Sequence, residues 1–402
     1  MVYDELVIGS GLSALGVTLG FPTHKRVLVI AGAASPSPRY YGAGTPVLCA
    51  DEGFGGLGNY WHGVIPTAEW QKLSPASRAD FAQLFDYFYP GLNVEERLGE
   101  PWLFVPWRPI RPAREWRKLL QARGDRLAVV CRSAARVVVQ DQQVSVETEG
   151  QMFTGRRVWI CAGTLGTPAL LRRSFDFPLV RSSLSDHVIA YLGQVVSANN
   201  SSAPPRVVRT TKGMWVESRV DPATASIAML RPARFAFKVL DKSIEQRAAF
   251  GLATGSAIAR IFSDASPALI AEALFNKFGL FPRAGLYSAY AQLAVADAYL
   301  ASDDFKSLTV QASKVRAATD HVRSSVSLPG FVPSRNLDTY LPGIHLHHSV
   351  DPVALQSAGM NLPASSVQIA DASVLTELGG EHHSFKMMVA AQARAAVATA
   401  VS

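Results

Sequence analysis

Cysteine is scarce in this chain of 402 residues: there are three, Cys49, Cys131 and Cys161, with no C-x-x-C among them. A sparse, odd count argues against a disulfide scaffold or zinc ribbon and points to a reducing compartment, the cytoplasm. Cys131 and Cys161 sit in apolar, strand-like runs and read as buried thiols. Charge is also thin. Charged residues make up 18% against 48% hydrophobic ones, so a large core can be buried and wholesale disorder is excluded. Long apolar runs are lacking too. Glu272, Lys277, Arg283 and Asp297 interrupt the apolar stretch 267–300, so no transmembrane helix is expected, although contact with a membrane surface stays open. The net charge of +7 comes without a zinc-finger, RRM or helix-turn-helix pattern, so no nucleic-acid partner is expected. The densest basic cluster, Arg108, Arg111, Arg114, Arg117 and Lys118, reads as a solvated face. No internal repeat and no low-complexity segment is present. The length suits two domains or one large interleaved one.

What is present begins at once. Residues Asp4 to Ala14 (DELVIGSGLSA) read as a short apolar strand, a glycine turn and the first turn of a helix. The spacing is G-x-G-x-x-G/A, the dinucleotide fingerprint. Gly9 permits the tight turn, Gly11 lets the backbone approach a pyrophosphate, and Ala14 is small enough for the helix to lie close on the strand. Leu12 and Ser13 open the helix, whose N–H groups and positive dipole end face the phosphates. An apolar helix (Leu12, Leu15, Leu19) and a second strand, Arg26 to Ile30, complete the unit. The strand starts so early that no signal peptide is expected before it.

Further along, residues 33–63 read as a long ordered loop and 67–123 as partly helical. From Arg126 to Ile160 come three apolar runs (Leu127–Val130, Arg136–Val139, Val144–Glu147), a turn, and Arg157 to Ile160. They suggest a small antiparallel meander returning to a main-sheet strand. Residues 180–340 mix strands with Ala-rich helices and carry no interpretable motif. The tail, 343–402, has a His-rich segment, a strand at Val367–Ala370, a glycine turn and a final helix from Ser384, with Phe385, Met388 and Val389 as its apolar stripe.

After the meander, Ala162-Gly163 ends a strand and Thr167-Pro168-Ala169-Leu170-Leu171 continues into a helix. At this point the chain resembles the glucose-methanol-choline (GMC) family of FAD-dependent oxidoreductases, whose second signature has this form. Further matches follow in the family's order. Gly55 to Gly63 (GGLGNYWHG) is similar to its flavin-contacting loop, and Leu184-Ser185-Asp186-His187 to its L-x-D-H. Gly343-Ile344-His345 is similar to the segment carrying its first catalytic histidine. Val367 to Val374 resembles its v-x-v-x-D-A-S-v, and Gly379 to Ser384 stands where it keeps an N-P or H-P pair.

The resemblance implies an α/β architecture: a Rossmann-like, glutathione-reductase-like FAD-binding domain interleaved with a smaller α+β substrate domain. The FAD domain would comprise 1–66, 124–189 and 341–402, and the substrate domain 67–123 and 190–340. It implies FAD as cofactor, with contacts from Gly9, Gly11, Leu12, Ser13, Ala14, Gly55, Gly56, Asn59, Trp61, His62, Val137, Ala162, Gly163, Asp371, Ala372, His383 and Ser384. It also implies oxidation of a CH–OH group in a small alcohol-bearing substrate by hydride transfer to flavin N5, with a histidine as general base. A flavoenzyme oxidising an amine or C–C bond with structural histidines, or a degenerate nucleotide-binding scaffold, are the alternatives.

Two departures from the family pattern matter. Where the second strand ordinarily ends in a ribose-binding acid, this chain has Ala31. Backbone groups or a side chain from the following loop would then take its place. An NADP reading instead uses Lys25, Arg26 or Arg39 for a 2′-phosphate, but Ala162-Gly163 and Asp371-Ala372-Ser373 speak for FAD. The second departure is His383 in place of proline, beside His382.

Nine histidines occur, and five of them (His345, His347, His348, His382, His383) lie in the last sixty residues. A neutral imidazole is suited to take the hydroxyl proton as hydride leaves. By the resemblance His382 takes the second catalytic place and His345 the first, with His347 and His383 as their competitors. Alternation puts His345 and His347 on one face and His348 on the other. A metal site built from His345, His347, His382 and His383 is the rival, but without H-E-x-x-H or a facial carboxylate no metal is expected. His62 reads as a loop-packing residue rather than a covalent flavin anchor. Asp371 either caps the turn before the last helix or stands beside backbone N–H groups that meet the cofactor chain. The final helix would aim its positive N-terminus at the flavin.

Overall fold

The computed structural model describes residues 2–32, 39–42, 46–50, 53–61, 63–67, 74–97, 102–140, 143–175, 183–196, 207–221, 225–230, 286–300, 307–309, 317, 320–324, 331–333, 340–342, 346–362, 364–375 and 383–401. In chain order the strands begin with β1 (Val2–Ile8), β2 (Val27–Ala31), β3 (Arg39–Gly42), β4 (Pro46–Ala50), β5 (Ile65–Pro66) and β6 (Trp102–Pro106). They continue with β7 (Leu127–Cys131), β8 (Ala134–Gln140), β9 (Gln143–Thr148), β10 (Gln151–Ile160), β11 (Ser183–Val196), β12 (Val207–Arg209) and β13 (Gly213–Asp221). The last are β14 (Ala225–Leu230), β15 (Leu286–Leu300), β16 (Ser307–Thr309), β17 (Phe331–Pro333), β18 (Tyr340–Pro342) and β19 (Val367–Ile369). The helices are α1 (Leu12–Gly20), α2 (Pro75–Phe88), α3 (Pro112–Arg123), α4 (Gly163–Ser174), α5 (Pro352–Ser357) and α6 (Ser384–Val401).

The first sheet runs β7-β2-β1-β10-β9-β8. The pairs β7/β2, β2/β1, β1/β10 and β10/β19 are parallel, and β10/β9 and β9/β8 are antiparallel. Its central strands are buried on both faces, which is why they read as nearly continuous apolar runs. One face carries α1, α3 and α6, where Val7, Val27 and Val29 pack with Leu15, Trp116, Phe385 and Met388. The other packs Leu6, Ile8, Leu28 and Ile30 against Leu170, Leu171, Leu355 and the β8–β9 ribbon.

Several sequence expectations change here, among them the long loop over 33–63, which contains β3 and β4. The run from Leu127 is not the meander's first strand but β7, parallel to β2. The crossover that a parallel neighbour requires comes from α3, immediately upstream. The turn after Val144–Glu147 falls at Glu149–Gly150, and the strand after it starts at Gln151 rather than Arg157. β10 is one strand of ten residues whose first half pairs with β9 and whose last three residues pair with β19. Cys131, at the exposed end of β7, is not buried; Cys161 is.

A second, larger sheet runs β4-β3-β16-β15-β14-β13-β6-β5, with β11 pairing β15, β17 and β18, and β12 pairing β13. It meets the first layer through an aromatic cluster. Phe85 of α2 lies 5.2 Å from Phe104 of β6, 5.9 Å from Trp215 of β13 and 6.2 Å from Phe385 of α6, centroid to centroid. Ser74 caps α2, its Oγ accepting from Ser77 N at 3.2 Å. The basic run on α3 is only partly a solvated face. Arg114 and Lys118 each lie 2.8 Å from the buried carboxylate of Glu115, and Arg111 donates to the Trp61 carbonyl.

Candidate active site

A cavity of about 830 Å³ opens at the carboxyl ends of β1, β2 and β10, the ligand-binding end of a parallel sheet. Its wall takes Gly9, Gly11, Leu12 and Ser13 from the glycine turn and α1. It takes Ala162, Gly163 and Thr164 from the start of α4, Asp371 and Ala372 from the turn after β19, and His383, Ser384 and Met387 from the start of α6. Gly56 and Trp61 complete it from the loop 53–61.

The turn is held closely. Gly9 has φ +108°, and a Cβ there would overlap the carbonyl oxygen of Cys161 at the end of β10. Only glycine lets β1 turn this near its neighbour. Ser10 Oγ accepts from Gly55 N at 2.8 Å, and the indole of Trp116 on α3 donates to Ser10 O at 2.7 Å. α1 has no side-chain cap and no acid in its first turn, so its leading N–H groups face the cavity free for an anion. The Ser13 hydroxyl meets Met387 Sδ at 3.2 Å, joining the N-termini of α1 and α6.

Loop 53–61 is pinned from below. Gly55 takes φ +96° and is buried behind the wall. Asn59 donates from Nδ2 to Phe54 O at 2.8 Å and accepts from Ala113 N at 3.4 Å. Gly55 and Asn59 therefore hold the loop's shape, while Gly56 and Trp61 face the cavity. Trp61 is 3% exposed, and among the described residues its indole Nε1 has no hydrogen-bond partner. His62 lies outside the described residues.

Asp371 is fully engaged within the protein. Oδ2 accepts from Gly163 N at 2.8 Å and Thr167 Oγ1 at 2.5 Å; Oδ1 accepts from Ser373 N at 3.0 Å and Ser373 Oγ at 2.5 Å. It caps the short 3₁₀ turn Ala372–Val374 and ties it to the start of α4. Burial pushes its carboxyl up, against the pull of these four donors. Burial likewise pushes the Cys161 thiol, in the same wall, well above its ordinary range. Ala14 and Val137 lie in the core, with the Val137 amide donating to Ser174 Oγ at 2.9 Å.

Of the candidate catalytic histidines, His345 and His382 lie outside the described residues. The other two meet. His347 and His383 stand edge to face with ring centroids 4.7 Å apart. His383 is in the cavity wall and half-buried; His347, 2% exposed, backs it. The segment 346–350 is laced in place. Thr164 Oγ1 donates to Leu346 O at 2.5 Å, Ser349 Oγ donates to Thr164 O at 2.6 Å, and His348 N donates to Ala372 O at 2.9 Å. His348 takes φ +59°, a left-handed turn off the extended backbone that strand alternation assumes.

At the far end of the cavity, Ala31 does not reach the wall. By alternation it shares the face of Val27 and Val29, is fully buried, and leaves Ile30 and Gly32 to line the site. Lys25 and Arg26 precede β2, at the opposite end of the sheet. Lys25 lies 4.0 Å from Glu5, and the Arg26 guanidinium 6.0 Å from the Tyr3 ring, so neither can meet a phosphate in the cavity. The side chain of Arg39 lies outside the described residues. Instead Ser133, Thr148 and Glu149 line this end. Sequence reasoning passed over these three, together with Met387 and Trp116. Among the described residues no group of three or more His, Cys, Asp or Glu is placed to hold a metal ion.

No family model and no curated protein sequence matches the chain. Solved structures do match along nearly its whole length. Against pyridoxine 4-oxidase from Mesorbium loti the TM-score is 0.51 at 14% identity, covering 98% of both chains. Against a fungal aryl-alcohol oxidase it is 0.51 at 13% identity, covering 100% of this chain and 99% of the other. Against formate oxidase from Aspergillus oryzae it is 0.54 at 12% identity, covering 99% and 98%. The chain thus has the fold of the glucose-methanol-choline type of FAD-dependent oxidoreductases, the family that its motifs resemble.

Proposed function

We propose that this chain is a FAD-dependent oxidoreductase that oxidises a CH–OH group of a small molecule, with a histidine accepting the hydroxyl proton. The observation that carries the reading is the pair His347 and His383, 4.7 Å apart at the cavity wall where the first turn of α6 begins. The fold similarity to enzymes described as alcohol and formate oxidases supports it.

The residues present fit FAD. The volume suits a large cofactor, and the uncapped start of α1 offers amides to a pyrophosphate. Gly9, Gly11, Leu12 and Ser13 would hold the pyrophosphate, with Gly56, Trp61, Ala162, Gly163, Ala372 and Ser384 along the rest of the molecule. Bound FAD supplies the hydride acceptor.

The protein supplies position and proton transfer. His383 would take the hydroxyl proton, and His347 would orient it from behind. The positive end of α6 would stabilise negative charge developing at the site. The resemblance adds His382 and His345 as partners in the same task. The proposal divides the chain into a cofactor domain (1–66, 124–189, 341–402) and a substrate domain (67–123, 190–340). It places the protein in the cytoplasm; among the described residues no helix is long and apolar enough to cross a membrane.

The test is anaerobic bleaching of the flavin by a panel of alcohols. The purified protein should be yellow or take up FAD. His383→Ala and His347→Ala should keep FAD and slow its reduction by ~10²–10⁴-fold, with wild-type rates rising with pH through the imidazole range. His382→Ala and His345→Ala run beside them. Unchanged rates in all four would make these histidines structural, and a protein that cannot take up FAD would end the proposal.

A further inference from the structure

We infer that Glu149, at the tip of the β9–β10 hairpin, supplies the carboxylate that grips the ribose diol of the bound nucleotide, in place of an acid at position 31. The inference rests on the nucleotide reading above. In a fold of this kind the ribose next to the adenine lies at the end of the second strand, and a carboxylate there accepts from its hydroxyls. Ala31 offers none, and its buried methyl points away from the cavity.

The chain brings a carboxylate to that end by another route. Arg132, just after β7, donates its amide to Ala31 O at 2.8 Å. The same residue donates from its guanidinium to Glu149 O at 2.7 Å. Arg132 therefore staples the hairpin tip against the end of β2. The tip is itself fixed: Gly150 turns the chain with φ +73°, and Thr148 Oγ1 donates to Gln151 O at 2.9 Å.

Among the described residues, two carboxylates line the cavity, Glu149 and Asp371. Asp371 spends both oxygens on four protein donors. Glu149 is exposed and lines the same end as Gly32 and Ser133, so its carboxylate can take two hydroxyls of a ligand. A carboxylate there repels a 2′-phosphate, so the site should select an unphosphorylated ribose.

The test uses FAD, ADP, 2′,3′-dideoxy-ADP and 2′-phospho-ADP, titrated by calorimetry into apoprotein of wild type, Glu149→Gln and Glu149→Ala. Glu149 has an exposed side chain, so both variants should keep the wild-type circular dichroism and melting temperature. Wild type should prefer ADP to dideoxy-ADP by about tenfold or more, the value of one charge-assisted hydrogen bond. Both variants should lose most of that preference and bind FAD about tenfold more weakly. The same preference in wild type and variants, or a wild-type preference for 2′-phospho-ADP, would overturn the inference. If neither FAD nor ADP binds wild type, the nucleotide reading fails, and this inference with it.

Discussion

Two glycines of one turn carry different duties, and a single methyl group separates them. At Gly9 a Cβ would meet a backbone carbonyl and the backbone is left-handed; at Gly11 φ is −73° and the nearest atom, Gly55 O, is 3.9 Å away. Gly9→Ala should cost about 2–6 kcal/mol, from backbone strain plus overpacking. Gly11→Ala should cost under about 1 kcal/mol, the scale of a helix-cap change, yet weaken FAD binding because its methyl enters the phosphate wall. Urea melts and FAD titrations separate the two. Equal destabilisation would show that the turn relaxes more than its geometry suggests. Asp371 gives a pH signature. Its folded pKa is raised above that of an unfolded carboxylate, so between those values the folded state holds the extra proton. Its contribution to stability is then full in acid and falls as pH rises through that window. The gap in stability between wild type and Asp371→Asn should narrow with rising pH. A gap that widens would mean that the four donors hold the carboxylate ionised after all.

Between elements, the close contact of α1 with α6 depends on Gly16 and Gly20, where a Cβ would overlap the carbonyl oxygens of Met388 and Gln392. Alanine gains up to about 1 kcal/mol in helix propensity over glycine, but parting two packed helices costs about 1–3 kcal/mol. Gly16→Ala should therefore be net destabilising. It should also slow flavin reduction, because α6 carries His383 and Met387 into the wall. Thermal melts with stopped-flow bleaching check both; a more stable and fully active variant would sink the packing argument. The sequence showed Ala14 as the close-packing position and was silent on Gly16 and Gly20. Their partner helix lies at the other end of the chain, and no local period reports a contact across such a distance. The glycine turn, β2 and the apolar stripe of α6 were legible because each is written in a short window. β7 was misplaced because a short apolar strand reads alike in a parallel and an antiparallel pair. Glu149 and Ser133 were passed over because exposed polar residues at strand ends look like ordinary turns. The histidine segments could be found from the motif order, but which ring faces which depends on how segment 346–350 is laced to α4.

For the molecule as a whole, the site exists only where distant stretches of chain meet: the N-terminal turn, loop 53–61, the start of α4, segment 346–350, the Asp371 turn and α6. Trp116 holds the first to α3, Ser10 holds it to the loop, and Asp371 holds α4 to its own turn. A ligand lying across all of them should act as a further tie. Binding only to the folded state stabilises it by RT ln(1 + [L]/Kd), about 2.7 kcal/mol at a hundredfold excess over Kd. Stripping FAD should lower the melting temperature by several degrees, and restoring FAD should recover it in proportion to the logarithm of its concentration. FMN at the same concentration should recover less, since it lacks the adenosine half that the proposal puts against Gly32 and Glu149, which line the cavity. Trp116→Phe should lower both curves alike, because the Ser10 carbonyl that it leaves unbonded belongs to the protein with or without ligand, at about 1–3 kcal/mol. Differential scanning calorimetry of the stripped, FMN-loaded and FAD-loaded forms, wild type and variant, measures each term. Equal recovery with FMN and FAD would mean that the adenosine end of the cavity contributes nothing to binding.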